Sequence, residues 1–212
     1  MRWLISAGPT REFLDPVRYL SNPSSGRMGI ELARAAGSLG HDVVLVHGPC
    51  SVRIPRSPRV HSVGVTTCLE MRDEILKAFK QSDIVVMAAA VTDFRAKRPR
   101  RRKVKKRARG VLTLKLARNP DILAELARRK TTQILVGFSA ETHGLTRYAR
   151  EKLRRKNLDF VVANRVGGRD SAFASHDNEV ELLTRKGKTL RFGRMSKKSL
   201  AKKLIRTFLR PS

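Results

Sequence analysis

Several segments of this 212-residue chain carry side chains that could do chemistry. In SNPSSGRMG, residues 21–29, Ser24, Ser25 and Gly26 stand where a loop enters a helix. Free backbone N–H groups and the helix dipole make such a junction an anion site, and glycine lets a ligand approach the backbone. The spacing is neither a Walker A loop nor the dinucleotide fingerprint, and a simply capped helix start explains it equally well. Upstream, GPTREFLDPVRYLSN places Arg11, Glu12, Asp15, Arg18 and Asn22 within twelve residues. These polar groups could clamp a substrate, or satisfy one another as a turn with internal ion pairs. In MAAAVTDF, an apolar run ends in the small residues Ala88 and Ala89 after Met87 and is followed by Asp93. Small residues there leave room for a ligand. The carboxylate could hold a metal–phosphate group, accept from a base amino group, or cap a turn. Lys103-Val104-Lys105-Lys106 could neutralise a triphosphate from a mobile loop, although most cations in such a run must be solvated. Phe138, in GFSAET, could offer a base a flat apolar surface or pack in the core. The five histidines (41, 47, 61, 143 and 176) have no metal-ligand spacing, and no Ser-His-Asp or Cys-His pattern is evident.

Positioning these groups requires alternating strands and helices. Trp3 to Ala7, the run from Asp42, Val60 to Val65, Asp83 to Ala90, Gln133 to Phe138 and Leu158 to Ala163 read as strands. Val111 to Leu116 is a further candidate. Helical stripes follow from Met28 to Leu39, from a Thr66 or Thr67 cap to Lys80, from an Asn119 cap with Pro120 in the first turn to Arg129, and from Thr142 to Asn157. Glu179 to Leu183 and Lys188 to Phe192 read as a hairpin, and Ser196 as the cap of a last helix. This order predicts a three-layer α/β fold with a mainly parallel sheet, a C-terminal hairpin and a helix, its ligand crevice beyond the C-terminal strand ends. The loop of about twenty residues after the first strand is long for an idle connection.

Composition sets the outer bounds. Forty-six basic residues against 18 acidic give +28. Residues 95–109 and 185–212 hold 11 basic residues each and no acid, so 22 of those charges lie in two segments and +6 remains elsewhere. Such blocks are solvated and self-repelling, or they bind anions, which include both polynucleotides and small polyphosphates. Eleven like charges and few apolar side chains predict a flexible basic lid over 95–110. No apolar run reaches the ~20 residues of a membrane helix, and the N-terminus lacks signal-peptide organisation. Two cysteines, Cys50 and Cys68, make no disulfide framework. A cytoplasmic protein is the expectation.

SAGPTREFLDPVRYLSNPSSGRMG, AAAVTDFRAKRPRRRKVKK, LARNPDIL, GFSAET and AREKLRRKNLDFVVAN, in that order, resemble phosphopantothenate–cysteine ligase of coenzyme A biosynthesis, the synthetase half of the bacterial bifunctional flavoprotein. The resemblance covers about residues 1–180 and implies a Rossmann-like fold and a single ligase domain over 1–212. It implies that the carboxylate of 4′-phosphopantothenate attacks the α-phosphate of CTP, and that the amine of L-cysteine then displaces CMP. Asn22 matches the asparagine that holds the acyl-cytidylate, Arg18 the arginine of the same step, and Lys103 the first lysine of a K-x-K-K lid. Met87, Ala88, Ala89 and Asp93 match a nucleotide-binding stretch, Asp93 also serving Mg2+. Asn119, Pro120, Asp121 and Ile122 match its N-P-D-I segment, and Phe138, Lys152 and Lys156 its remaining CTP contacts. A homodimer and a separate flavin-dependent decarboxylase partner are also implied, with no membrane and only incidental nucleic-acid binding. Two departures stand out: Arg165 replaces an aspartate after the last core strand, and Phe173, Ser175, His176, Asp177 and Asn178 match a later pattern only with an offset. The rival classes are a nucleic-acid-binding protein on an α/β scaffold, suggested by the charge, and a Rossmann-type dinucleotide-dependent reductase, which lacks its G-x-G-x-x-G.

Overall fold

A computed structural model describes residues 1–105, 111–166 and 176–210. In chain order the elements are β1 (Arg2–Ala7), β2 (Arg11–Phe13), β3 (Tyr19–Ser21), α1 (Arg27–Ser38), β4 (Asp42–His47), β5 (Val60–Gly64), α2 (Cys68–Phe79), β6 (Ile84–Met87), β7 (Phe94–Ala96), β8 (Leu116–Arg118), α3 (Ile122–Arg129), β9 (Ile134–Glu141), α4 (Leu145–Arg155), β10 (Phe160–Arg165), β11 (Asp177–Thr184), β12 (Thr189–Ser196) and α5 (Lys197–Phe208).

Eight strands form one sheet in the order β12-β11-β10-β9-β6-β1-β4-β5. From β5 to β10 the pairs are parallel, and β11 and β12 close one edge as an antiparallel hairpin. Apolar runs such as Ile84–Met87, buried at every position, suit a parallel sheet covered on both faces. α1 and α5 bury Ile30, Leu32, Leu204 and Phe208 against one face with Trp3, Ile5 and Val136. α2, α3 and α4 bury Met71, Ile75, Leu126 and Leu153 against the other with Leu4, Val85 and Leu135. The three-layer α/β fold is thus as the sequence predicts. β1 pairs with β4 on one side and β6 on the other, so successive crossovers diverge there and open a crevice beyond Ala7 and Met87.

Local signals account for most boundaries. Thr67 accepts from Glu70 N–H and the Glu70 carboxylate reaches back to the Thr67 backbone, a capping box at α2. Ser196 caps α5 by accepting from Ser199 N–H at 3.2 Å. Three expectations change. Residues 111–115 are not a strand: β8 starts at Leu116, where β7 provides a partner. Asp121, not Asn119, caps α3, accepting from Ala124 N–H at 3.0 Å, because Asn119 is drawn to the carbonyl of Thr92 instead. The long first loop contains the small β2–β3 hairpin.

Candidate active site

At the floor of the crevice the chain passes close to itself. A methyl group on Gly48 would lie 1.8 Å from the Pro9 carbonyl oxygen, and one on Gly29 2.6 Å from Ala7 Cβ, so α1 sits hard against β1. Gly26 takes φ 77° at the N-cap of α1, where glycine has no side chain to cap the helix, and the first turn holds no acidic residue. Ser24 Oγ accepts from Gly26 N–H at 3.3 Å and Ser25 Oγ from Arg27 N–H at 3.4 Å. The helix end therefore keeps a positive field beside the crevice, as an anion site needs.

The 8–22 loop is held by buried polar groups. Glu12, 4% exposed, accepts from Cys68 N–H at 2.8 Å and from Thr92 Oγ1 at 3.3 Å. Thr10 and Thr92 hydroxyls lie 2.9 Å apart. Asn22 Nδ2 donates to the carbonyls of Ala90 and Val91 at 3.1 and 3.2 Å, which fixes the loop across the end of β6. Ala89 N–H donates to Ser6 Oγ, and Ala90 N–H to the Gly8 carbonyl. Asn22, Met87, Ala88 and Ala89 are thus brought together at the divergence point, with Asp93 exposed at the mouth. Asn119 clasps this end: Nδ2 donates to the Thr92 carbonyl at 2.8 Å, its N–H to the Asp93 carbonyl, and Oδ1 accepts from Arg95.

A cationic wall stands beside it on α4. Lys152 Nζ donates to the Phe138 carbonyl at 2.5 Å, and Lys156 Nζ pairs with Asp121 at 2.7 Å. Burial, reinforced by Lys156, pushes Lys152 down to about 8, against the opposing pull of Glu141, Asp121 and Asp93. Asp121 is held below the usual carboxylate range; burial opposes this, and the Lys156 hydrogen bond, the Ala124 N–H and the lysine charges outweigh it. The Pro120 carbonyl accepts weakly from Cys68 Sγ, and Ile122 is buried. Phe138 lies inside β9, half-buried, and packs against the core on the α1–α5 side.

The basic stretch is not free along its length. Arg95 lies in β7, Arg100 N–H donates to the Leu14 carbonyl at 2.9 Å, and Val104 is bonded to Asp15 and Arg18. Hydrogen bonds to the 14–18 turn thus tie Arg100 and Val104 of the expected flexible lid to the body of the domain. Lys103 is exposed next to the anchored Val104. Lys106 and the rest of the 106–110 portion, like Phe173 and Ser175, lie outside the described residues. His176 precedes β11, which Asp177 and Asn178 open and where the Asn178 side chain accepts from Glu179 N–H, and Arg165 ends β10, exposed. Thr92 escaped the sequence reading: a threonine in a loop has no pattern, and only its contacts with residues about 80 positions away mark it.

Among the described residues no helix is long and apolar enough to cross a membrane, and no cluster of three His, Cys, Asp or Glu side chains could hold a metal. Compared with known proteins, residues 1–210 match the model of the DNA/pantothenate metabolism flavoprotein C-terminal domain. The chain is 44% identical over 194 residues to the coenzyme A biosynthesis bifunctional protein CoaBC of Bacillus subtilis, covering 92% of this chain and 47% of that protein. It thus spans about half the length of this curated relative. The crystal structure of the C-terminal domain of CoaBC superposes with a TM-score of 0.80 at 34% identity, covering 97% of this chain and 92% of the other. A Cab2 variant in complex with phosphopantothenate-cysteine shares the fold at 19% identity, with a TM-score of 0.79 over 98% of this chain and 85% of that one. A match along nearly the whole chain, together with the same fold, places this protein in the DNA/pantothenate metabolism flavoprotein C-terminal domain family, as a counterpart of the C-terminal domain of CoaBC.

Proposed function

We propose that this protein is a phosphopantothenate–cysteine ligase of coenzyme A biosynthesis that uses CTP. The carboxylate of 4′-phosphopantothenate attacks the α-phosphate, the α–β phosphoanhydride bond breaks, and pyrophosphate leaves. The amine of L-cysteine then attacks the acyl carbon of the acyl-cytidylate, CMP leaves with the bonding electrons, and the amine proton is lost to solvent. The observation that carries this reading is the crevice between β1 and β6, where the Asn22 amide is fixed across Ala90 and Val91 beside the α1 N-terminus, whose N-cap is a glycine.

In this reading Ser24, Ser25, Gly26 and the α1 N-terminus receive a phosphate. Lys152, Lys156 and the 119–122 turn hold the nucleotide, and Asn22 and Arg18 hold the acyl-cytidylate. Lys103 meets the charge that develops on the phosphates, so catalysis is mainly positioning and charge stabilisation. Mg2+ fits as an ion carried by the triphosphate: one exposed carboxylate, Asp93, would complete its shell, which suits an ion that keeps waters and phosphates as ligands. A homodimer is supported by the exposed apolar residues Val111, Leu112, Leu114, Leu116 and Phe94, which lie outside both basic segments. A cytoplasmic setting and a flavin-dependent decarboxylase partner follow from the same pathway role, since the chain matches only part of a bifunctional relative.

The test is release of CMP and pyrophosphate from CTP in the presence of phosphopantothenate and cysteine. Absence of turnover together with tight, salt-sensitive RNA binding would favour the nucleic-acid reading instead, and preference for ATP would overturn the choice of nucleotide. Light scattering at modest salt checks the dimer, which Leu112→Asp should split.

A further inference from the structure

We propose that Asp15 is a positioning residue that latches the lysine-bearing segment to the Asn22 loop, a role that rests on the reading of Lys103 above. Asp15 is 1% exposed, and its two oxygens have separate duties. Oδ1 accepts from the N–H groups of Val17 and Arg18 at 2.8 and 2.9 Å and so shapes its own turn. Oδ2 accepts from Arg18 Nη1 at 3.2 Å and from Val104 N–H at 3.1 Å. The same Arg18 Nη1 donates to the Val104 carbonyl at 3.2 Å. One ion pair therefore grips both backbone groups of the residue that follows Lys103.

Turn formation needs only Oδ1. The second oxygen is committed to a segment 89 positions away. A further tie, Arg100 N–H to the Leu14 carbonyl at 2.9 Å, runs beside it. These bonds act where 11 cations in fifteen residues repel one another and would otherwise swing the segment into solvent. Charge-assisted hydrogen bonds to a buried carboxylate are among the stronger polar contacts, so they are suited to hold Lys103 against that repulsion. Arg18 thereby couples two parts of the site, since the loop that supplies the latch also carries Asn22 four residues on.

Asp15→Asn separates the two duties. The amide oxygen can keep the turn, whereas an NH2 group in place of Oδ2 would face the Val104 N–H and the Arg18 guanidinium. We expect kcat to fall about tenfold to a hundredfold, with KM for CTP little changed. Trypsin should cut residues 100–105 faster than in the parent. Val104→Pro, which removes the donor and leaves the turn intact, should reproduce both effects if Asp15→Asn fails to fold. Asp15→Asn combined with Lys103→Gln should be no slower than Lys103→Gln alone. Parent-like kinetics and cleavage in Asp15→Asn would overturn the latch, and so would multiplying losses in the double variant, which would mark a general structural role. If Lys103→Gln alone is fully active, the reading of Lys103 fails; unchanged cleavage in Asp15→Asn would then reject the latch independently.

Discussion

Lys152 sets stability against ligand binding. Its stem runs past Gly137, beside Leu123 and Leu158, and its ammonium donates to the Phe138 carbonyl. Burial, then Lys156, lowers its pKa from 10.5 to about 8. At 1.36 kcal/mol per pH unit, that drop corresponds to about 3 kcal/mol against the charged form in the folded chain. The sign follows from proton counts. Between pH 8 and 10.5 the unfolded chain binds more protons at this site, so stability rises with pH across that window, and at pH 7 the cost is fully present. Lys152→Met keeps the length and removes the charge. Allowing about 1 kcal/mol for the lost hydrogen bond, it should stabilise the free protein by about 2 kcal/mol at pH 7. Near pH 10.5 the gain should vanish, since the parent lysine is then neutral. Denaturant melts at pH 7 and 10 measure this. A bound triphosphate should restore the ammonium, so calorimetry near pH 8 in buffers of different ionisation enthalpy should record proton uptake, lost in Lys152→Met. A variant destabilised equally at both pH values, or CTP binding without proton uptake, would refute the reasoning.

Other consequences can be checked directly. Asn22→Asp sets a carboxylate against the Ala90 and Val91 carbonyls; it should cut amide formation at least about a hundredfold and let acyl-cytidylate or its breakdown products be detected by quenched-flow mass spectrometry. Gly29→Ala drives a methyl to 2.7 Å from the Ser6 carbonyl oxygen; thermal melts should register a loss of about 1–3 kcal/mol, whereas Gly193→Ala, in open space, should be near neutral. Replacing Arg100, Arg101 and Arg102 with glutamine should raise KM and flatten its salt dependence while leaving kcat nearly unchanged, as steady-state kinetics across ionic strength would measure.

What the sequence determines by itself is whatever depends on neighbours within a few residues. The apolar run Ile84–Met87 reads as a buried strand from its composition, a threonine at 66 or 67 marks a helix start, and Ser196 reads as the cap of α5, its partner lying three positions on. Strand–helix alternation then makes the crossovers right-handed and places the crevice. The family motifs were likewise legible, since they are contiguous. Distance along the chain decided the rest. Asn119 and Asp121 are both plausible caps, and the Thr92 carbonyl, 27 residues before Asn119, separates them. Val111 to Leu116 alternates like a strand, but only the residues that meet β7 pair. Counting charges over 95–109 predicts self-repulsion; it cannot reveal that Asp15, 89 residues earlier, holds Val104 by its backbone. Sequence spacing aligns Lys152 and Lys156 on one helix face, whereas burial under α3 and β9 and the carboxylate of Asp121 are consequences of tertiary packing alone. Side-chain chemistry is local, but desolvation and partner geometry are properties of the assembled fold, so pKa values and the anchoring of the basic segment had to await the three-dimensional structure.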